Sequence, residues 1–361
     1  MATDQKTAPR RRGQGAKRAA DAFADEKPDA LVGYYRMMWL MRRFEERCAE
    51  MYQRAKIGGY CHLNLGEEAT VVGLMAALEP RDYLFTNYRE HGYALAKGIE
   101  PGPVMAELFG KATGVSRGRG GSMHLFDVGA RLLGGYAIVG GQIPLATGAA
   151  QAIAYRDGDE VVMCQMGDGT VNTGAFHECL NMAQLWKLPI VFVIVNNLTG
   201  MGTKVEAASA EPELYKRACA YKMASERVDG NDLLAVREAA RRAVDRARNE
   251  RLPTLLEAVS FRMRGHSVVD PARYRSKEEV EQGRAKDPVV AFRARLIQTG
   301  TLDEAAVAEL EAEVEREVQQ AIDFADASPD PDVGELFDDV YASPVANAPR
   351  GLPGDPSVAQ A

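Results

Sequence analysis

The sequence predicts an α/β fold: a doubly wound, mostly parallel sheet with helices on both faces. Residues 161–166 and 190–195 are short apolar runs, and a helical pattern over 174–188 lies between them. Two such runs joined by a helix give parallel strands and a right-handed crossover, since a hairpin loop returns the chain antiparallel. The first run leads into Gly167-Asp168-Gly169 and the second into Asn196-Asn197. Polar, glycine-bearing loops therefore gather beyond the carboxyl ends of the strands, where a doubly wound sheet takes its ligands.

The elements follow in order. From 29 to 55, Leu31, Tyr35, Met38, Met41, Phe44, Cys48 and Met51 recur at three-to-four spacing, which predicts a long amphipathic helix. Between 58 and 148 the chain is rich in glycine and histidine, and a stretch such as 118–122 reads as a flexible site-lining loop. The helix over 174–188 is stopped by Pro189, with Phe176, Leu180, Ala183 and Trp186 expected on one buried face. A further strand is expected at 254–259, then a polar loop over 262–275, then charged helices. Thr301 with Glu304 reads as a capping box opening a helix whose Val307, Leu310, Val314 and Val318 form one stripe. These readings divide the chain into a disordered basic arm (1–28), a single α/β domain with C-terminal helices (29–342) and a flexible tail (343–361).

Composition narrows the class. At 361 residues and 46% hydrophobic content the chain can bury a full core. No run approaches the roughly 18 apolar residues of a membrane span, and the N-terminus lacks an apolar signal core, so a cytoplasmic protein without a membrane partner is expected. A formal charge of −7 argues against nucleic-acid binding, although Arg10, Arg11, Arg12, Lys17 and Arg18 cluster locally. Cys48, Cys61, Cys164, Cys179 and Cys219 form no CxxC pair, and free, mostly buried thiols are expected.

The two polar strand ends carry the chemistry. Gly167-Asp168-Gly169 and Asn196-Asn197 are separated by 26 residues, 170–195, which one crossover helix accounts for. Adjacent parallel strands then aim the Asp168 carboxylate and the Asn197 amide oxygen into one crevice. Magnesium takes hard oxygen ligands, typically only one or two from side chains, with phosphate and water completing the shell. Gly169 and Thr170 offer backbone N–H groups at the start of the next helix, and glycine lets the backbone approach an anion. A Mg2+–diphosphate site follows. A nicotinamide enzyme would need GxGxxG and a nucleoside triphosphatase GxxxxGK[ST]; neither is present.

Here the chain resembles the thiamine-diphosphate-binding family, whose signature is GDG followed by NN. Further blocks are similar, in order, to the alpha chains of the decarboxylating component of pyruvate dehydrogenase complexes. They are Gly59-Tyr60-Cys61-His62-Leu63, Tyr88-Arg89-Glu90-His91-Gly92, Gly121-Ser122-Met123-His124, Ile138-Val139-Gly140-Gly141-Gln142 and Arg264-Gly265-His266-Ser267-Val268-Val269-Asp270-Pro271. The resemblance implies a thiamine-diphosphate-binding fold with Mg2+ held by Asp168, Asn197 and the Thr199 carbonyl. It implies that Tyr88, Arg89, Gly167, Gly169, Thr170 and His266 meet the diphosphate end of the cofactor, and that Ala137, Val139 and Gly140 meet its aminopyrimidine through the main chain. His62 and His266 are implied on the substrate side, and His124 in passing the acyl group to lipoamide. Family members often carry glycine at the position of Ala137 and tyrosine before Gly200, where this chain has Thr199.

The activity implied is thiamine-diphosphate-dependent oxidative decarboxylation of a 2-oxoacid, pyruvate foremost, with acyl transfer to a lipoyl-bearing acyltransferase. The family's second half-site comes from a beta chain, which implies a heterotetramer of two alpha and two beta chains and an inactive lone subunit. Branched-chain 2-oxoacid or acetoin dehydrogenase alpha chains remain alternatives, as does a non-catalytic scaffold subunit. Ser267 stands where mitochondrial members are phosphorylated; a polar loop serine with no kinase is the plainer reading.

Overall fold

A computed structural model describes residues 23–338 and Ser343. Its strands are β1 (Tyr83–Asn87), β2 (Leu132–Tyr136), β3 (Val162–Gly167), β4 (Ile190–Asn196), β5 (Thr199–Gly200), β6 (Thr203–Lys204), β7 (Ala224–Asp229) and β8 (Thr254–Val259). Six of them form one sheet in the order β2-β1-β3-β4-β8-β7, every pair parallel, while β5 and β6 make a small antiparallel ladder. The helices are α1 (Pro28–Gln53), α2 (Glu68–Met75), α3 (His91–Ala96), α4 (Pro101–Leu108), α5 (Gln142–Tyr155), α6 (Gly174–Trp186), α7 (Val205–Ala208), α8 (Leu233–Glu250), α9 (Lys277–Arg284), α10 (Pro288–Gln298) and α11 (Glu304–Ala327).

The predicted crossover is present: β3 and β4 pair in parallel from Val162–Ile190 to Gly167–Val195, with α6 between them. Alternation explains why these runs are almost wholly apolar, Gln165 being the exception, its side chain bonded to the Asn87 N–H. Val161, Met163, Val191, Val193 and Val195 face one core, with α1, α2, α8 and α11. Val162, Cys164, Met166, Ile190, Phe192 and Ile194 face the other, with α5 and α6. A strand covered on both faces leaves little room for a polar residue without a partner. The chain winds from β1 outward to β2, then returns across β1 to β3, so the order reverses between β1 and β3 and opens a crevice at their carboxyl ends.

Several expectations need correction. Trp186 does not join the buried face of α6: it is 50% exposed and Leu185 is 69% exposed. The cap of α11 is Asp303, whose Oδ1 accepts from the Ala306 N–H at 2.8 Å, while Thr301 bonds Thr299 instead. Of the arm expected over 1–28, residues 1–22 lie outside the described residues; Phe23 is buried against Phe292 at 5.4 Å, so the folded body begins before residue 29. The tail expected over 343–361 lies outside the described residues except for Ser343. The loop at 118–122 is not loose, because the buried Glu107 carboxylate accepts from the N–H groups of Ser116, Gly118, Gly120 and Gly121 at 2.7–3.1 Å. All five cysteines are free and four are buried, as expected. Among the described residues no helix is long and apolar enough to cross a membrane.

Candidate active site

A cavity of about 330 Å³ opens at the switch point between β1 and β3 and extends across the end of β4. Of the residues singled out from sequence, Tyr88, Arg89, Val139, Gly167, Asp168, Gly169, Thr170, Asn197, Thr199 and His266 line it. These come from five separate stretches of chain. The sheet brings three of them together directly, since Tyr88–Arg89, Gly167–Thr170 and Asn197–Thr199 follow neighbouring strands.

The three oxygens expected to hold a cation converge. Asp168 opens the 3-10 turn Asp168–Asn172 and is 7% exposed. Burial pushes its carboxyl up to about 6, while its own backbone and the Arg262 and Arg89 guanidinium groups pull the other way. Gly200 lies beside its side chain: a Cβ there would stand 3.5 Å from Asp168 Oδ2, in ordinary contact. The Asn197 amide donates its Nδ2 to Glu67 Oε1 at 2.8 Å, which turns its Oδ1 outward. Arg262, 1% exposed, donates Nη1 to the Thr199 carbonyl at 2.9 Å and lies 3.5 Å from Asn197 Oδ1. The Asn197 and Thr199 oxygens thus lie within reach of one guanidinium nitrogen, which places them side by side at the edge of the cavity.

Arginines hold the other wall. Arg89, 4% exposed, donates to the Leu63 carbonyl at 2.5 Å and to the His266 carbonyl at 3.0 Å. Arg262 also reaches the Met201 carbonyl at 3.0 Å and the Tyr274 hydroxyl at 2.9 Å. Asp270 accepts from the His266 N–H at 2.6 Å, and the Val268 N–H bonds the Cys61 carbonyl at 3.0 Å. The loop carrying His266 is therefore laid against segment 61–65. Two guanidinium groups beside one carboxylate make a natural cradle for a diphosphate.

His62 does not line the cavity but stands directly behind it, its ring 4.4 Å from Tyr88 and 4.9 Å from His266. Burial first, then Arg89, lowers both imidazoles, His266 to about 4 and His62 further, so both are neutral at ordinary pH. Each has a buried Nδ1 with no partner among the described residues. An imidazole left this way is unspent, and the sites of two unspent imidazoles are adjacent.

Three expected residues stand apart from the cavity lining. Gly140 (φ +84°) packs beside it: a Cβ there would meet Thr173 Oγ1 at 3.1 Å and Thr170 at 3.5 Å. Ala137 follows β2, and its neighbours Ile138 and Val139 are 75% and 50% exposed. His124 bonds the Gly135 carbonyl through Nδ1 at 2.9 Å, and its Nε2 has no partner among the described residues. Ser267 is 7% exposed in this loop conformation. His91 serves the scaffold, bridging Glu45 at 2.9 Å to Ser122 at 2.9 Å.

Sequence reasoning passed over Asn87, Asn172, Met201 and Thr203 as lining residues and gave Arg262 only a supporting place. It missed Glu67 altogether. Asn87 had a signal, being the last residue of a strand before Tyr88-Arg89. Glu67 had none, because its partner Asn197 is 130 positions away.

The fold and these motifs define a thiamine-diphosphate-type E1 architecture, and a family model described as "Dehydrogenase E1 component" matches residues 35–334. The chain belongs to that family. Its relatives include "Pyruvate dehydrogenase E1 component subunit alpha-3, chloroplastic" of Oryza sativa subsp. japonica, 44% identical over 92% of this chain and 80% of the relative. "Pyruvate dehydrogenase E1 component subunit alpha" of Rhizobium meliloti (strain 1021) is 44% identical over 85% of this chain and 88% of the relative. The protein of the same description from Zymomonas mobilis is 45% identical over 86% and 88% respectively.

Proposed function

We propose that this chain is the alpha subunit of the decarboxylating component of a pyruvate dehydrogenase complex, holding thiamine diphosphate through Mg2+. The observation that carries the reading is the convergence of Asp168, Asn197 Oδ1 and the Thr199 carbonyl under Arg89 and Arg262 at the switch point of the sheet. All three are hard oxygen donors, which fits Mg2+. Asp168, Asn197 and Thr199 would hold the metal; Tyr88, Arg89, Thr170, the Gly167 and Gly169 backbone and His266 would meet the diphosphate. Val139, Gly140 and Ala137 would receive the aminopyrimidine by main-chain contacts.

When bound, thiamine diphosphate supplies the carbanion stabilisation that decarboxylation of a 2-oxoacid needs. The chain's own residues do the rest. Arg89 and Arg262, both largely buried, balance anionic charge at the cavity. His266 lines the cavity and His62 stands behind it, and as neutral rings with an unpartnered Nδ1 both suit hydrogen bonding or accepting a proton near the substrate. His124, with Nε2 free, suits acyl transfer to a lipoyl group on an acyltransferase partner.

The cup is open on one side. Val139 lines the cavity, and it and Ile138 are 50% and 75% exposed, which suits a beta chain closing over the cofactor in a heterotetramer of two alpha and two beta chains. We assign the assembly to the cytoplasm, which fractionation of the native host would test. The functional test is co-expression with candidate beta subunits. Reduction of an artificial electron acceptor is followed with pyruvate, branched-chain 2-oxoacids and acetoin. Turnover of pyruvate above the others, dependent on both thiamine diphosphate and Mg2+, is expected. Preference for another substrate would reassign the specificity, and absence of cofactor binding in every pairing would overturn the catalytic reading.

A further inference from the structure

We infer that Glu67 is a positioning residue that fixes the amide of Asn197, and through it the cation affinity of the site. The inference rests on the reading of Asp168, Asn197 and Thr199 as the cation-binding set.

Glu67 is 1% exposed and sits beneath the cavity floor, between the turn after segment 61–65 and the start of α2. Its two carboxylate oxygens have different partners. Oε1 accepts from Asn197 Nδ2 at 2.8 Å, and Oε2 accepts from Asn64 Nδ2 at 3.0 Å. Arg89 Nε stands 3.9 Å from Oε1. Everything aimed at Glu67 is therefore a donor, and an ionised carboxylate is the side chain that offers only acceptors.

That pattern settles an orientation that shape alone leaves open. An asparagine amide presents a carbonyl oxygen and an NH2 group of nearly equal size, and its hydrogen bonds decide which end points where. With Nδ2 committed to Glu67, Asn197 has its Oδ1 toward Arg262, on the side where the cation would lie. The flipped amide would set Oδ1 against a carboxylate and NH2 against the cation, unfavourable at both ends. Asn64 cannot turn to compensate, because its Oδ1 accepts from the Gly92 N–H at 3.2 Å. Glutamine at position 67 can accept from one asparagine only, and its own NH2 then opposes the other.

The test is a swap of donor and acceptor across the pair, read as Mg2+ dissociation constants of the assembled alpha–beta complex by calorimetry at saturating thiamine diphosphate. E67Q should weaken Mg2+ by about 10–100-fold, the range for residues that orient a metal ligand. N197D places two carboxylates face to face and should also weaken it. In E67Q/N197D the glutamine oxygen still accepts from Asn64 while its NH2 donates to the carboxylate introduced at position 197, and the net charge is that of the parent. The double variant should bind Mg2+ more tightly than either single one. A packing role for Glu67 predicts no such rescue, so additive losses, or wild-type affinity in E67Q, would overturn the inference. Should E67Q fail to assemble, the N197D and double-variant pair still decides it: recovery of binding supports the pairing and no recovery defeats it. A wild-type complex that binds neither Mg2+ nor thiamine diphosphate would instead remove the underlying reading.

Discussion

The two walls of the cavity are held in different ways. The wall formed by Gly167–Thr170 and Asn197–Thr199 hangs from β3 and β4, whose ladder is continuous from Val162 to Gly167 and whose side chains are buried on both faces. The opposite wall, made of residues 88–89 and 262–270, starts from the ends of β1 and β8 but runs on as irregular chain. It is clasped by side chains reaching backbone carbonyls: Arg89 to Leu63 and His266, Arg262 to Thr199 and Met201, Arg275 to Arg262 and Arg264. One wall is set by the fold, the other by a few charged hydrogen bonds. Substitutions in the first should cost ligand binding with little cost in order, and substitutions in the second should cost order first.

Asp168→Ala gives the largest expected effect. It removes the one full negative charge among the cation-facing oxygens, and cofactor binding by the alpha–beta complex should fall by more than about 100-fold, with a melting temperature close to wild type. A large fall in melting temperature would mean that the sheet-borne wall is not preformed. Arg89→Ala should do the reverse. It abandons two hydrogen bonds from a charged donor, each worth about 1.5–3 kcal/mol, and should open 262–275 to limited proteolysis even before ligand binding is measured. Resistance to cleavage equal to wild type would sink the clasp.

Acidification probes the same wall more gently. His62 and His266 are lowered below the ordinary histidine value by burial and by Arg89, so the unfolded chain takes up their protons first. Stability contributed by the neutral rings is complete above pH about 6.5 and is lost as pH falls toward about 4, where His266 titrates in the folded state. Urea midpoints across that window should decline, and less so in H62Q/H266Q; equal slopes would show that these rings are not the cause. The smallest expected effect is that of Tyr274→Phe, which removes a hydroxyl bridging Arg262 at 2.9 Å and Asp270 at 2.7 Å. About 1 kcal/mol is expected, confined to hydrogen exchange in the loop.

The same contrast decides what was legible in the sequence. The sheet-borne wall was readable because strand, turn and ligand are contiguous: an apolar run, a glycine-flanked aspartate and a second run ending in asparagines imply their own juxtaposition. The long helix α1 was readable for a similar reason, each of its seven stripe residues being buried. By contrast β2 went unseen because its sequence is Leu-Leu-Gly-Gly-Tyr and its pairing with β1 slips register between Leu84 and Thr86. Gly135 is required there because the buried Glu90 carboxylate fills the space a Cβ would need. The edge strand β7 reads as Ala-Ser-Glu-Arg-Val-Asp, and only its ladder with β8 makes it a strand. Trp186 was misread because an exposed apolar residue can fall at the same periodicity as the buried ones. Arg262 and Glu67 were hidden by distance along the chain, since the groups they serve belong to other elements.

The exposure of Ile138 and Val139 has a thermodynamic corollary for the proposed assembly. A cofactor that touches this chain on one side and a second chain on the other couples two equilibria, and the coupling is reciprocal. Whatever factor the beta chain adds to cofactor affinity, the cofactor adds to subunit affinity. Dilution of the complex would then release thiamine diphosphate, and depletion of thiamine diphosphate would loosen the complex, with no dedicated regulator required.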